Sequence, residues 1–189
     1  KEPITVTLPE VGAVGVCGDR PVLDGVLRGL VLQMAALHSP AEVVLACLTN
    51  AQRADLWSWL SWLPHTSSPH SPLAAHLAGD AAAVRVVLDQ LEGLVSTRSG
   101  GDAPSGWGPL RDDRVADTPG PPLPAVVVVV DEPSIDAARL VRLAENGPGA
   151  GVHVLWVGDA VASLPGVCRA FLRVDAADGG QVGLVRREL

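Results

Sequence analysis

The sequence predicts an α/β fold: a mostly parallel sheet with helices on both faces. Three observations carry that expectation. Strand-like and helix-like segments alternate along the chain. The strand-like segments are apolar at every position rather than at every second one, as strands covered on both faces are. The apolar residues, 48% of the chain, are mostly Val, Leu and Ala, with one Phe and no Tyr. At 189 residues the chain is long enough for one substantial core and is read as a single domain, 1–189.

In order, Ile4 to Leu8 and Ala13 to Cys17 read as short strands. Gly18-Asp19-Arg20-Pro21 reads as a turn, with Pro21 placed to enter the first turn of a helix. From Val22 to Leu37, Leu23, Val26, Leu27, Leu30, Val31 and Met34 recur at helical spacing. Ser39-Pro40-Ala41-Glu42 has the form of a capping box opening a brief turn. Val43 to Leu48 is an apolar strand, and Gln52 to Leu63 carries Trp57, Trp59 and Trp62 before Pro64 ends it. Ala81 to Val95 reads as a second long helix with the stripe Val84, Val87, Leu88, Leu91 and Leu94. Residues 99–122, rich in Gly, Pro and Asp, show no periodicity and are read as a flexible loop insertion. Ala125 to Val130 is the strongest strand, followed by a helix from Ser134 to Glu145. Strands at Val152 to Val157, Ala170 to Val174 and Val182 to Val185 complete the pattern.

Composition excludes several classes of function. Fourteen basic residues against 21 acidic ones give a net charge of −7, and only one of the basic residues is Lys. A nucleic-acid surface needs clustered cations, so no nucleic-acid partner is expected. Apolar runs are strand-sized, too short to span a bilayer, and the opening Lys-Glu-Pro does not resemble a signal peptide. A first residue of Lys suggests a fragment, so any membrane contact is expected through segments outside it. Cys17, Cys47 and Cys168 are odd in number and far apart, and read as buried free thiols of a reducing compartment. His65, His70 and His76 sit in a polar loop without metal-ligand spacing, so no metal is expected.

Three stretches carry a family resemblance. Leu30-Val31-Leu32-Gln33-Met34-Ala35-Ala36-Leu37-His38-Ser39-Pro40 resembles the end of a P-loop helix and its "HSP" turn. Trp59-Leu60-Ser61-Trp62-Leu63-Pro64-His65 resembles a "W-x-x-WLPH" signature. Val126 to Val130 ending in Asp131-Glu132, then Gly151-Val152-His153-Val154-Leu155, resembles a Walker B strand and the "GVHL" strand beyond it. Their order resembles the FtsK/SpoIIIE superfamily, and within it the EccC-type ATPases of type VII (ESX) secretion. The resemblance implies a three-layer RecA-like P-loop fold. The double-Trp form implies the degenerate ATPase-like domain that follows the membrane helices, with a degenerate later domain as the alternative.

The same resemblance implies that parts of the chemistry are missing. A Walker A loop wraps phosphates in backbone N–H groups and adds Lys and Ser or Thr. Those last three positions fall here on Val22, Leu23 and Asp24, although Gly12, Gly15 and Gly18 precede them. A tight strand-to-helix turn is the simpler reading of that stretch. Asp131 and Glu132 keep the Walker B identities, which in an active relative hold the magnesium-bound water and orient the attacking one. The family's arginine positions align with Glu145 and Pro148, and its glutamine with Asp159. No catalytic residue and no cofactor are therefore expected in this domain, with Mg-ATP in other domains of the parent.

The resemblance then implies a module that couples the membrane part of a secretion motor to its active ATPase domains, at the cytoplasmic face of the membrane. Expected partners are downstream ATPase domains of the same chain and other subunits of the machinery. Trp57, Trp59, Trp62 and His65 are candidate docking residues, with Asp131 and Glu132 beside them to receive a basic group. The alternative is a motor domain that binds and hydrolyses ATP through an atypical P-loop. A substrate-binding module with an apolar groove is a third possibility.

Overall fold

The computed structural model describes residues 5–100, 123–133, 135, 137–175 and 179–184. In chain order the elements are α1 (Leu8–Val11), β1 (Ala13–Gly18), α2 (Arg20–Leu37), β2 (Val43–Leu48), α3 (Ala54–Trp57), β3 (Leu77–Ala78), α4 (Ala81–Gly100), β4 (Ala125–Val130), α5 (Ala137–Asn146), β5 (Val152–Gly158), β6 (Cys168–Asp175) and β7 (Gly179–Leu184). Short 3-10 turns at Ser58–Trp62 and Pro64–Thr66 continue the chain after α3.

One sheet runs in the order β3-β2-β4-β5-β1-β6-β7. Six strands are parallel, and β7 joins β6 antiparallel at the edge. The apolar strand β4 lies inside the sheet, as its lack of alternation requires. It pairs with β2 from Val43↔Ala125 to Leu48↔Val130, and with β5 from Val126↔Val152 onward. Strand β5 separates β1 from β4, the arrangement of RecA-like folds.

The two faces of each strand feed two separate cores, because successive side chains point to opposite sides. Val44, Ala46, Leu48, Val126, Val128 and Val130 meet Val84, Leu88 and Leu91 of α4 and Leu140 and Leu143 of α5. On the other face Leu45, Cys47, Val127, Val129, Val14 and Val16 meet Leu23, Leu27 and Val31 of α2, together with Trp57 and Leu60. The result is the expected three layers. Cys17, Cys47 and Cys168 are all buried free thiols, and burial pushes the Cys168 thiol up to about 12.

Several boundaries differ from the sequence reading. Leu8–Val11 is one helical turn, not a strand end, and Pro9 suits a first turn because its missing N–H is not needed there. Helix α4 continues five residues past Val95, so residues 99 and 100 are helical. Arg98 stabilises that extension by donating to the carbonyls of Ala150 (2.9 Å) and Pro124 (3.1 Å). The rest of the expected insertion lies outside the described residues, as do Ile4, Ser134 and Val185. The helix expected from Ser134 to Glu145 is observed at Ala137–Asn146. Among the described residues, no helix is long and apolar enough to cross a membrane.

Candidate functional site

In open parallel sheets, ligands bind beyond the carboxy ends of the strands where the connections diverge. Here that point lies at the end of β1, between β5 and β6. An open cleft of about 660 Å³ occupies it, lined by residues 17–20, 159–161 and 173–175. Its walls carry Asp19, Asp159 and Asp175 against Arg20 and Arg173.

Strand β1 ends at Gly18 and α2 begins at Arg20, so Asp19 alone separates them. A phosphate cradle is built from a run of backbone N–H groups in a loop, and here the strand-to-helix connection is one residue long. The glycines have packing reasons instead. A Cβ on Gly18, whose φ is +145°, would collide with the Val174 carbonyl, and one on Gly15 would collide with Leu164. Gly15 lies inside β1 and Gly12 ahead of it. Leu23 is wholly buried in the core, Val22 is half-buried, and the Asp24 carboxylate accepts Arg53 Nη2 at 2.6 Å. Asp19 sits as N-cap, placing an acid at the helix end that would otherwise attract an anion.

Asp131 is 0% exposed at the end of β4 and accepts from three side-chain donors. Its Oδ1 accepts Arg20 Nη1 at 2.7 Å. Its Oδ2 accepts Arg53 Nε at 2.7 Å and the Trp57 indole N–H at 2.8 Å. Burial pushes this carboxyl up, but the bonds from Trp57, Arg20 and Arg53, with the Arg53 charge, outweigh it and hold it below the usual range. Arg20 also pairs through Nη2 with Glu132 and through Nε with Asp159 (3.2 Å).

Glu132 has φ +53°, unusual for a residue with a side chain. Asn50 Nδ2 donates to its carbonyl at 2.9 Å. The same Asn50 caps the next turn, its Oδ1 accepting the N–H groups of Gln52 (3.0 Å) and Arg53 (3.1 Å). That cap aims Arg53 at Asp131. The acids were therefore visible in the sequence and their partners were not. An external basic group was expected for Asp131 and Glu132, whereas both are paired within the chain. The nearest sequence signal is Arg20 beside Pro21 at a helix start.

The four docking candidates separate. Trp57 and His65 are buried, and Trp59 is half-buried with its ring stacked on Trp57 at 6.2 Å between centroids. His65 Nε2 donates to the His38 carbonyl at 2.8 Å, and Ser68 Oγ donates to that of Pro40 at 3.0 Å. The "HSP" and "LPH" motifs thus meet in space, and His65 acts as a brace. Trp57 and His65 cannot present a surface, while Trp62 is 89% exposed. Among the described residues, no group of three or more His, Cys, Asp or Glu could hold a metal ion.

No family model matches the chain. It is similar to the ESX-4 secretion system protein EccC4 of Mycobacterium tuberculosis, 31% identical over 94 residues, which is 50% of this chain and 7% of that protein. The ESX secretion system protein EccC of Thermomonospora curvata is 33% identical over 67 residues, 35% of this chain and 5% of that protein. This chain thus spans a small fraction of the length of the curated relatives it matches. Among solved structures, EssC (ATPases 2 and 3) from Geobacillus thermodenitrificans superposes with a TM-score of 0.63 at 15% identity, covering 87% of this chain and 32% of that one. EccC (ATPases 2 and 3) of Thermomonospora curvata, in complex with a signal sequence peptide, gives 0.53 at 20% identity, covering 86% and 31%. These likenesses show the fold.

Proposed function

From a chain whose sequence relatives are EccC-type proteins of type VII secretion and whose fold is that of their ATPase domains, we propose a degenerate ATPase-like domain that does not hydrolyse ATP. It couples the membrane-anchored part of a secretion motor, at the cytoplasmic face, to downstream domains that bind Mg-ATP. The single observation that carries this reading is the passage from β1 to α2 through Asp19 alone. That turn leaves no loop to wrap a triphosphate, and Leu23 is core at the position where a Lys would be needed. The alternative, hydrolysis through an atypical P-loop, requires a phosphate cradle that these residues do not form.

Calorimetric titration of the chain with Mg-ATP tests the proposal. The expected result is no binding heat at millimolar nucleotide. Tight, magnesium-dependent binding would overturn it.

A further inference from the structure

The Arg20 guanidinium bonds three carboxylates that arrive from two strand ends: Asp131 and Glu132 after β4, and Asp159 after β5. It does so from the first position of α2, so one side chain ties that helix to both strand ends. The three acids meet one planar fork of N–H donors, the geometry in which a guanidinium receives carboxylates. Arg53 holds the other oxygen of Asp131 from the turn after β2.

Resting on the reading of a nucleotide-free domain, we propose that Arg20 is a latch, with Arg53 as its inner support. Together they supply the positive charge at the Walker B-like carboxylate and hold the ends of β4 and β5 to the start of α2 without any ligand. Charge and backbone both argue for this. Arg53 pairs with Asp24 and Asp131, whereas Arg20 pairs with Asp131, Glu132 and Asp159, so loss of Arg20 takes one of two guanidinium groups from Asp131 and the one that Glu132 and Asp159 share. Glu132 is kept in its left-handed conformation by the Asn50 side chain and by Arg20, and would lose one of these two restraints. The latch is graded in depth. Asp131 is sealed, whereas Glu132 is 49% and Asp159 78% exposed, so its outer bonds can open first.

Native-state amide exchange on the 189-residue chain tests the latch. Arg20→Ala should speed exchange about tenfold or more at Asp131, Glu132 and the first turn of α2, and leave the centres of β2 and β4 unchanged. Free guanidinium ion at non-denaturing concentration should restore protection, and magnesium should not. Unchanged exchange in Arg20→Ala, or restoration by magnesium as well, overturns the latch. Should Arg20→Ala fail to fold, Glu132→Gln removes only an outer charge and should speed the same amides by a smaller factor. No change there also overturns the proposal. Binding of Mg-ATP to the unaltered chain defeats the functional reading, while the latch stands or falls on the exchange difference.

Discussion

Asp131 is a sealed carboxylate that binds two guanidinium groups at once. Asp131→Asn keeps the shape but leaves both guanidinium groups facing an amide, a change expected to cost about 3–5 kcal/mol. Urea unfolding of the variant and the parent at neutral pH measures the difference. Its pH dependence follows from the sign of the shift. The folded-state pKa lies below the value in the unfolded chain, near ~3.9. The contribution is therefore full above that unfolded value and is lost as pH falls through the folded one. Wild type should lose stability on acidification below pH ~4 more steeply than the Asn variant, so the gap between them should narrow. A gap that stays constant would remove the paired carboxylate as its cause. At this scale the acids were legible, as an Asp-Glu pair ending an apolar strand. Arg20 and Arg53 were not, because they lie 111 and 78 residues away in sequence.

At the scale of elements, the apolar strands were legible because burial on both faces removes polar residues altogether; β2 and β4 have the bounds the sequence suggests. Element ends set by tertiary contacts were not. The extension of α4 runs through Ser96, Thr97, Ser99 and Gly100, which have weak helix propensity, and is held by what Arg98 reaches. The junction of β1 and α2 has a sharper consequence. The motif register alone suggests that Leu23→Lys with Asp24→Thr would recover weak nucleotide binding. The structure argues the opposite, since Leu23 packs with Leu27 and Val31 under the sheet and Asp24 is a partner of Arg53. The double substitution should bury an unpaired ammonium and leave Arg53 with Asp131 but without Asp24, destabilising the domain by about 3–5 kcal/mol. Thermal unfolding and Mg-ATP calorimetry check both halves: a lower midpoint and still no binding. A variant that is stable and binds nucleotide would show that the loop, not the core, governs this junction.

For the whole molecule, alternation of strand and helix was enough to give a parallel three-layer sheet, but not its strand order, which depends on crossovers that leave no local trace. The sequence also grouped three Trp and one His as a single docking face. Folding divides them, because the segment from Asn50 to Thr66 runs along the α2 face with Trp57 and Leu60 inward and Trp62 outward. An isolated Trp at 89% exposure contributes little to its own fold, so Trp62→Ala should change stability by no more than about 0.5 kcal/mol. An aromatic ring that becomes buried in a partner is worth on the order of 2–4 kcal/mol of contact. On the proposed coupling role, a parent motor carrying Trp62→Ala is expected to fold, to retain the ATPase activity of the proposed downstream domains, and to lose assembly or secretion. The comparison that decides is between unfolding midpoint and secretion in the same variant. Unchanged stability with lost secretion places Trp62 at an interdomain or intersubunit joint. Unchanged secretion would leave the exposed ring without a partner, and the coupling surface would have to be sought elsewhere on the domain.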